Sequence, residues 1–599
     1  MVHENPLLTD DDRLYYLVSK LSTKAKHVFS AQRNIDLPAS GIEPALQTPA
    51  VGAQTSSSSG VSAVGLSRAL PPRDSAQSGN VSSLHTSIAV PAVNAAAPCG
   101  YLKRCTESTI LLSTAQVIMY ARDGPNLQGD LNCILLNFRL FKIAVSADCR
   151  QMFLQIVMNE SDRKFQRILF RFHANDPVSI FEFNRVCFGM KSSVFHAVRV
   201  VKQLIADEGH KFPVAAAIAS DSTYMDDVCF SIMADDSSQS DESVVVDACI
   251  QLIDLFKCGQ FDLVKWTSNS AAVLRAIPAS HLASSDLEID KGAVPHKILG
   301  THWNRSDDAF NFKVATPEPG CSKRIILSTV ARLWDNLGLV APVVLYAKLL
   351  IRELWLAKCD WDDTPPPRIV TLWSRFCSEL PTLNEVRIPR HLGVVQGCVV
   401  NLLGFADASE RAYGAVLYMQ TVVNNRRNIV LLCSKSKVSP LKTVSIARLE
   451  LCAAVILSKL MRKIIDLFGP RYKISNIYAF TDSKVTLCWI NSSPHRWQTF
   501  VANRVVKVID NIPASCFHHI AGVENPADCL SRGLSPASLI DHPLWFSGPP
   551  WVSKDPTEWP IEKFDKDEVG DVPDLKPLAH AVTVPAIESP IYSLALQIA

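Results

Sequence analysis

Four times between residues 399 and 528 an ordered-looking apolar run delivers a single acid, and that recurrence constrains the chain more than any other feature. Val399–Val400–Asn401–Leu402–Leu403–Gly404–Phe405–Ala406 reads as a strand ending on Asp407. Ala412 to Met419 and Ile429 to Cys433 have strand composition too, which predicts an antiparallel meander. A helix is predicted from about Ser445 to Phe468, with Ile446, Leu449, Ala453, Leu457 and Leu460 on one apolar face. Glu450 lies four residues after Ile446 and so falls on that buried side. An unpaired carboxylate there is costly, which points to a metal or a catalytic role. The alternative is a salt-bridged Glu at the edge of the stripe. Asn476 to Thr481 is a further strand, ending in Asp482 and running into a helix. From His518 a strand, a turn and a helix start lead to Asp528. Any one such acid alone reads as a structural or surface residue.

A second carboxylate group lies upstream. Phe141 to Ala147 reads as a buried strand ending on Asp148, after which CRQMFLQI returns to helical spacing. Tyr224–Met225–Asp226–Asp227–Val228–Cys229–Phe230 places adjacent acids between β-prone apolar residues, the pattern of a hairpin with a carboxylate pair at its tip. Grouped carboxylates repel unless a cation sits between them. Phosphoryl transfer uses such groups to hold two hard cations about 3.5–4 Å apart. An Asp-Asp pair by itself is weak evidence, since most are solvated loop acids.

The remaining sequence sets the frame. At 599 residues the chain has room for several domains. Hydrophobic content of 48% and charged content of 20% are those of globular protein, and a net charge of +2 leaves nucleic-acid binding to local patches. The 17 cysteines contain no CxxC pair, and Cys99 with Cys105 lacks a following His, so structural zinc is not expected. They read as reduced thiols of an intracellular protein, cytoplasmic or nuclear. MVHENPLLTDDDR is not a secretory signal. The apolar stretch Leu337 to Leu350 holds Pro342 and Lys348 and is too short to span a bilayer, so no membrane association is expected. Asp10 to Gln32 has helical spacing at Leu14, Leu17, Val18 and Leu21, whereas Asp36 to Pro98 is a Ser-, Ala-, Pro- and Gly-rich linker of disordered composition. Beyond about Pro550 an irregular tail is expected.

The two acid groups and the residues between them resemble a known family. Tyr224 to Asp227, with the strand-terminal Asp148, is similar to the reverse-transcriptase signature. Asp407, Glu450, Asp482 and Asp528 resemble, in order and element, the four acids of ribonuclease H. Lys323 to Ser328, Trp334 to Pro342, Glu353–Leu354–Trp355 and Asp360 to Asp363 resemble the connection region of BEL/Pao-type LTR-retrotransposon polyproteins. The resemblance covers roughly Gly124 to Pro550. It implies an α+β and α/β multidomain chain: a reverse-transcriptase palm, a connection region, and a ribonuclease H-like mixed sheet with flanking helices. The expected divisions are a capsid-like helical fragment (1–35), the linker (36–98), a remnant similar to the start of an aspartic protease (99–123), the palm (124–275), thumb and connection (276–397), the ribonuclease H-like domain (398–535) and a tail (536–599).

The resemblance also implies chemistry. Asp148, Asp226 and Asp227 would hold two Mg2+ ions (or Mn2+) for primer extension. Asp407, Glu450, Asp482 and Asp528 would hold two more for cutting the RNA strand of an RNA:DNA hybrid. The partners would be that hybrid, an RNA template with a DNA primer, and deoxynucleotides. Phe153 matches the aromatic gate that excludes a ribose 2′-hydroxyl, or is a core aromatic. Phe188 and Gly189 fall in a segment that lines the nucleotide site, where Val194 replaces the usual Pro. Lys265 would screen the pyrophosphate leaving group, or is a solvated surface Lys. His518 and His519 precede the last acid by a short connection and receive no role. No Asp-Ser/Thr-Gly triplet occurs, and Arg122–Asp123–Gly124 passes almost directly into the palm, with the polymerase fingers largely missing. The expectation is a retrotransposon-derived product with ribonuclease H activity and weakened polymerase chemistry. The alternatives are an inactive nucleic-acid-binding remnant, or an incomplete version of a full Pao-type polyprotein.

Overall fold

Strands that carry the key acids are apolar on both faces, so each has to lie inside a sheet covered by other elements. The computed structural model describes residues 102–104 (backbone), 124–170, 175–235, 238–283, 296–317, 320–561 and 572–576. The expected capsid-like fragment, the linker and nearly all of the protease-like remnant lie outside the described residues. The described part is mixed α+β with four sheets.

Two compact units are distinguished by their internal contacts. The smaller contains Met158–Gly189 and the strand Leu102–Arg104, a stretch that falls within the expected palm boundaries. Its Arg167–Phe170 and Ser179–Phe183 strands form an antiparallel pair, fastened by an Arg167–Glu182 ion pair of 3.3 Å, and Leu102–Arg104 adds to the other edge of the second strand.

The larger unit contains Tyr120–Val157 and everything from Met190 onward. Its first sheet runs Thr223–Tyr224, Asp227–Ser231, Ala144–Cys149, Leu263–Ser268, all antiparallel. Leu131–Leu140 precedes it; Asp130 caps this helix by accepting from the Asn132 and Cys133 amides. The predicted hairpin is present, with Met225 in the left-handed region at its tip (φ 58°).

A smaller antiparallel sheet (His296–Ile298, Thr301–Asn304, Ala309–Asn311, Arg387–Pro389) follows, then helices Lys323–Arg332, Ala341–Leu356 and Pro367–Glu379. Leu337 to Leu350 leads into the second of these, with Pro342 in its first turn. Among the described residues no helix is long and apolar enough to cross a membrane. All 15 described cysteines are free thiols.

Two buried arginines, unmarked by any local pattern, tie these layers together. Arg139, fully buried at the end of the Leu131–Leu140 helix, donates to the carbonyls of Pro389, Arg390, Leu431 and Leu432. Arg390 grips Asp308 through two bonds of 2.6 and 2.7 Å and donates to the carbonyls of Phe138, Phe141 and Lys142. These bonds give partners to buried carbonyls and to the guanidinium groups that would otherwise lose water without compensation.

The fourth sheet has strand order Arg426–Val438, Ala412–Val423, Val399–Ala408, Asn476–Thr481, Phe517–His519. The first three form the predicted meander; the last two run parallel to Val399–Ala408. The Ile446–Phe468 helix packs on this sheet so closely that a Cβ on Gly404 would stand 2.5 Å from Leu457 Cδ1. Leu449, Ala453 and Leu457 are buried as expected. Ile446, the first residue of the helix, is not: it is 48% exposed. Glu450 is buried all the same, among Leu449, Leu451 and Ala453.

Beyond Pro550 the described residues, 551–561 and 572–576, are packed into the fold. Trp551 and Trp559 are buried and pack edge-on or tilted against Phe405, Tyr478 and Phe480. Residues 572–576 strap the Lys484–Ile490 and Thr499–Ile509 helices. Trp489 Nε1 donates to Pro573 O, Gln498 N to Asp574 O and Lys576 N to Arg496 O, while Arg448 forms a bidentate pair with Asp574.

Candidate active site

Neighbouring strand ends bring two of the acids together, and the helix supplies the third. Ala406 pairs with Thr481 in the parallel ladder, so Asp407 and Asp482 leave adjacent strands at the same level. Glu450, in the second turn of its helix, reaches that level from above. Ligand oxygens of Asp407, Glu450 and Asp482 all lie within 4.8 Å of one another.

The electrostatics of this cluster are unfavourable as it stands. Burial raises the Asp407 carboxyl to about 7; Asp482 and Asp528 add to the rise, and a hydrogen bond from Ser531 opposes it. Glu450 is pushed up to about 9, first by burial and then by Asp407 and Asp482, while the Ala408 amide, 3.2 Å from its Oε1, pulls the other way. Asp482 is raised as well, chiefly by burial. Glu450 Oε2 and Asp482 Oδ1 are buried with no hydrogen-bond partner. Buried acceptors without partners are rare and costly. A hard divalent cation bound by these three carboxylates would satisfy both oxygens and remove the mutual repulsion, so the residues fit a metal.

Asp528, the fourth predicted acid, stands apart from that three-ligand group. It sits at the start of the short Cys529–Arg532 helix with its side chain 42% exposed, and its Oδ1 accepts from Arg532 Nε at 2.5 Å. Its backbone is firmly fixed. Asn525, 1% exposed, donates from Nδ2 to Ala406 O at 2.9 Å and accepts from the Ala527 amide, capping the Pro526–Asp528 turn. Ser409 Oγ donates to Ser531 O at 2.7 Å. Asn525, Ser531 and Arg532 were not singled out in the sequence. An Asn directly before Pro is a turn signal that could have flagged the first. His519 Nε2 lies 3.2 Å from Asp482 O, and its ring favours the charged form of that acid.

The acids of the expected palm are arranged differently. Asp148 and Asp227 are direct partners in the antiparallel ladder, and Asp226 occupies the turn. Burial raises Asp227 to about 6, reinforced by Asp226 and Asp148, and burial raises Asp226 too. Lys265 Nζ lies 2.9 Å from Asp148 Oδ2. Among the described residues, Asp407, Glu450 and Asp482 form the one acidic trio with converging ligand atoms; the palm acids do not form a second. Phe153 is half-buried on the short Met152–Gln155 helix. Phe188 and Gly189 belong to the smaller unit, Phe188 half-buried and Gly189 exposed with φ 81°.

Residues 322–483 match the model of the family described as Pao retrotransposon-like RNaseH-like domain. The matched span contains Asp407, Glu450 and Asp482. No curated protein matches the chain. Two solved structures are similar, each with a TM-score of 0.39 and 12% identity over 66% of this chain. One is a foamy viral protease-reverse transcriptase dRH in complex with ds DNA, the other a foamy viral protease-reverse transcriptase in complex with RNA/DNA hybrid. The chain spans 59% and 46% of their respective lengths, less than two thirds of either.

Proposed function

We propose, for a chain that carries a Pao retrotransposon-like RNaseH-like domain across residues 322–483, that this domain hydrolyses the RNA strand of RNA:DNA hybrids. The observation that carries the reading is the convergence of Asp407, Glu450 and Asp482 within 4.8 Å, two of them with buried oxygens that have no partner. These three residues would hold a divalent cation, Mg2+ by the hardness of an all-oxygen donor set. Bound there, the ion would activate a water and stabilise charge on the scissile phosphate. Glu450 contributes a carboxylate fixed by the Ala408 amide. Asp482 is set by its strand end, and Gly522 lies so close that a Cβ there would be 2.8 Å from Asp482 Oδ2. Asn525 and Ser409 hold the Asp528 segment beside Asp407, so that Asp528 can join a second cation.

Purified full-length protein with Mg2+ is expected to cut the RNA strand of a hybrid. Asp482→Asn is expected to lower that rate by roughly a hundred- to thousandfold. Equal activity in the variant would overturn the assignment. No primer extension on an RNA template is expected, because Asp148 is already paired with Lys265; processive extension would show the palm to be competent.

A further inference from the structure

The palm carboxylates gather at one end of their sheet, and one of them is met by a cation of the protein's own. Lys265 reaches Asp148 through an irregularity in its strand. The ladder between Ala144–Cys149 and Leu263–Ser268 pairs Ser146 with Thr267 and Asp148 with Val264. One residue, Ala147, therefore stands opposite two, Lys265 and Trp266. This is a β-bulge, a device that re-aims a side chain next to a functional group. Lys265 sits in it with φ 53°, in the left-handed region that a lysine rarely adopts. Such a conformation persists only where its surroundings enforce it. Here the enforcing group is Trp266, fully buried with its indole N–H bonded to Leu263 O. Sinking Trp266 into the core turns Lys265 out over the acids, and its ammonium lands 2.9 Å from Asp148 Oδ2.

We propose that Lys265 is the resident counter-ion of the palm acids, and that its ammonium excludes divalent cations from Asp148. The contrast with the other cluster supports this. Asp407, Glu450 and Asp482 converge, leaving two buried oxygens without partners. Asp148 meets the Lys265 ammonium, and among the described residues Asp148, Asp226 and Asp227 do not form such a group. An ammonium and a metal compete for the same carboxylate lone pairs, and the two cations repel at close range. The pair is partly solvated, with side-chain exposures of 63% and 23%, so a sufficiently high metal concentration displaces it.

The test uses the full chain carrying Glu450→Gln and Asp482→Asn, so that the nuclease-like cluster adds no ion, and follows Mn2+ binding by electron paramagnetic resonance. This parent is expected to bind no Asp148-dependent ion at low millimolar Mn2+. Lys265→Asn, which suits a left-handed backbone, and Lys265→Met are each expected to gain one ion, lost again when Asp148→Asn is added. Lys265→Arg keeps the charge and is expected to behave as the parent. An Asp148-dependent ion bound equally by the parent and the neutral variants overturns the proposal, as do folded neutral variants that gain none. Independently of folding in those variants, the 13C-dimethyl resonance of Lys265 after reductive methylation is expected to move on Asp148→Asn but not on adding low millimolar Mg2+. A shift with Mg2+ would count against Lys265. None of these outcomes depends on whether the other cluster hydrolyses RNA.

Discussion

Glu450 lies close to buried Asp407 and half-buried Asp482, and its protonation makes the free protein sensitive to pH. Its carboxyl is raised to about 9 and that of Asp407 to about 7, whereas in the unfolded chain both titrate near about 4. The folded state thus keeps protons that the unfolded state has released, and the stability they confer is lost as pH rises. Metal-free protein is expected to lose thermal stability progressively from about pH 4 to about pH 9, with Glu450→Gln flattening the upper part of that slope. Mg2+ should raise the melting temperature more at about pH 8 than at about pH 5, since only ionised carboxylates bind it. Calorimetry across pH, with and without the ion, checks both. A profile unaffected by Glu450→Gln would mean that this carboxyl is not held protonated.

At the scale of elements, the short turn carrying Asp528 depends on Asn525 more than on its own length. Asn525→Ala removes a cap and leaves Ala406 O, beside Asp407, without its donor. A loss of about 1–2 kcal/mol is expected by urea denaturation, together with slower hybrid cleavage. Unchanged stability would show the turn to be held by Ser409 alone. The strands and helix of this sheet were legible in the sequence because their signals are local. An apolar run ending in an acid is visible within ten residues, and so is the meander from Val399 to Val438. Ile446 was misread for a related reason: helical periodicity gives the face of a helix but not where along it packing begins. Arg532 beside Asp528 could have been seen from its spacing. Trp551, Trp559 and the 572–576 strap could not, because their partners, Phe480 and Trp489 among them, are close only in the fold. Trp559→Ala is expected to destabilise by about 3–5 kcal/mol, measurable by chemical denaturation; a value near zero would make those rings peripheral.

At the scale of the larger unit, Arg139 and Arg390 are the residues that let the first sheet, the small sheet and the sheet carrying Asp407 share one core. The carbonyls they bind are some 250 to 290 positions away, beyond any sequence pattern. Removing one guanidinium leaves several buried carbonyls bare and, for Arg390, Asp308 without its counter-charge. Arg390→Ala is expected to cost about 3–5 kcal/mol, read as a lower or split thermal transition. A single, unshifted transition would contradict the shared core.

That lock bears on where such a chain can be joined to another. Arg139 lies on the helix that precedes the first sheet, yet the carbonyls of Leu431 and Leu432 that it binds belong to the strand Arg426–Val438. Replacing residues 398 onward by a foreign domain would sever this connection unless the newcomer offered two carbonyls at the same height. Chimeras joined upstream of residue 131 are therefore expected to fold where chimeras joined between the two sheets are not.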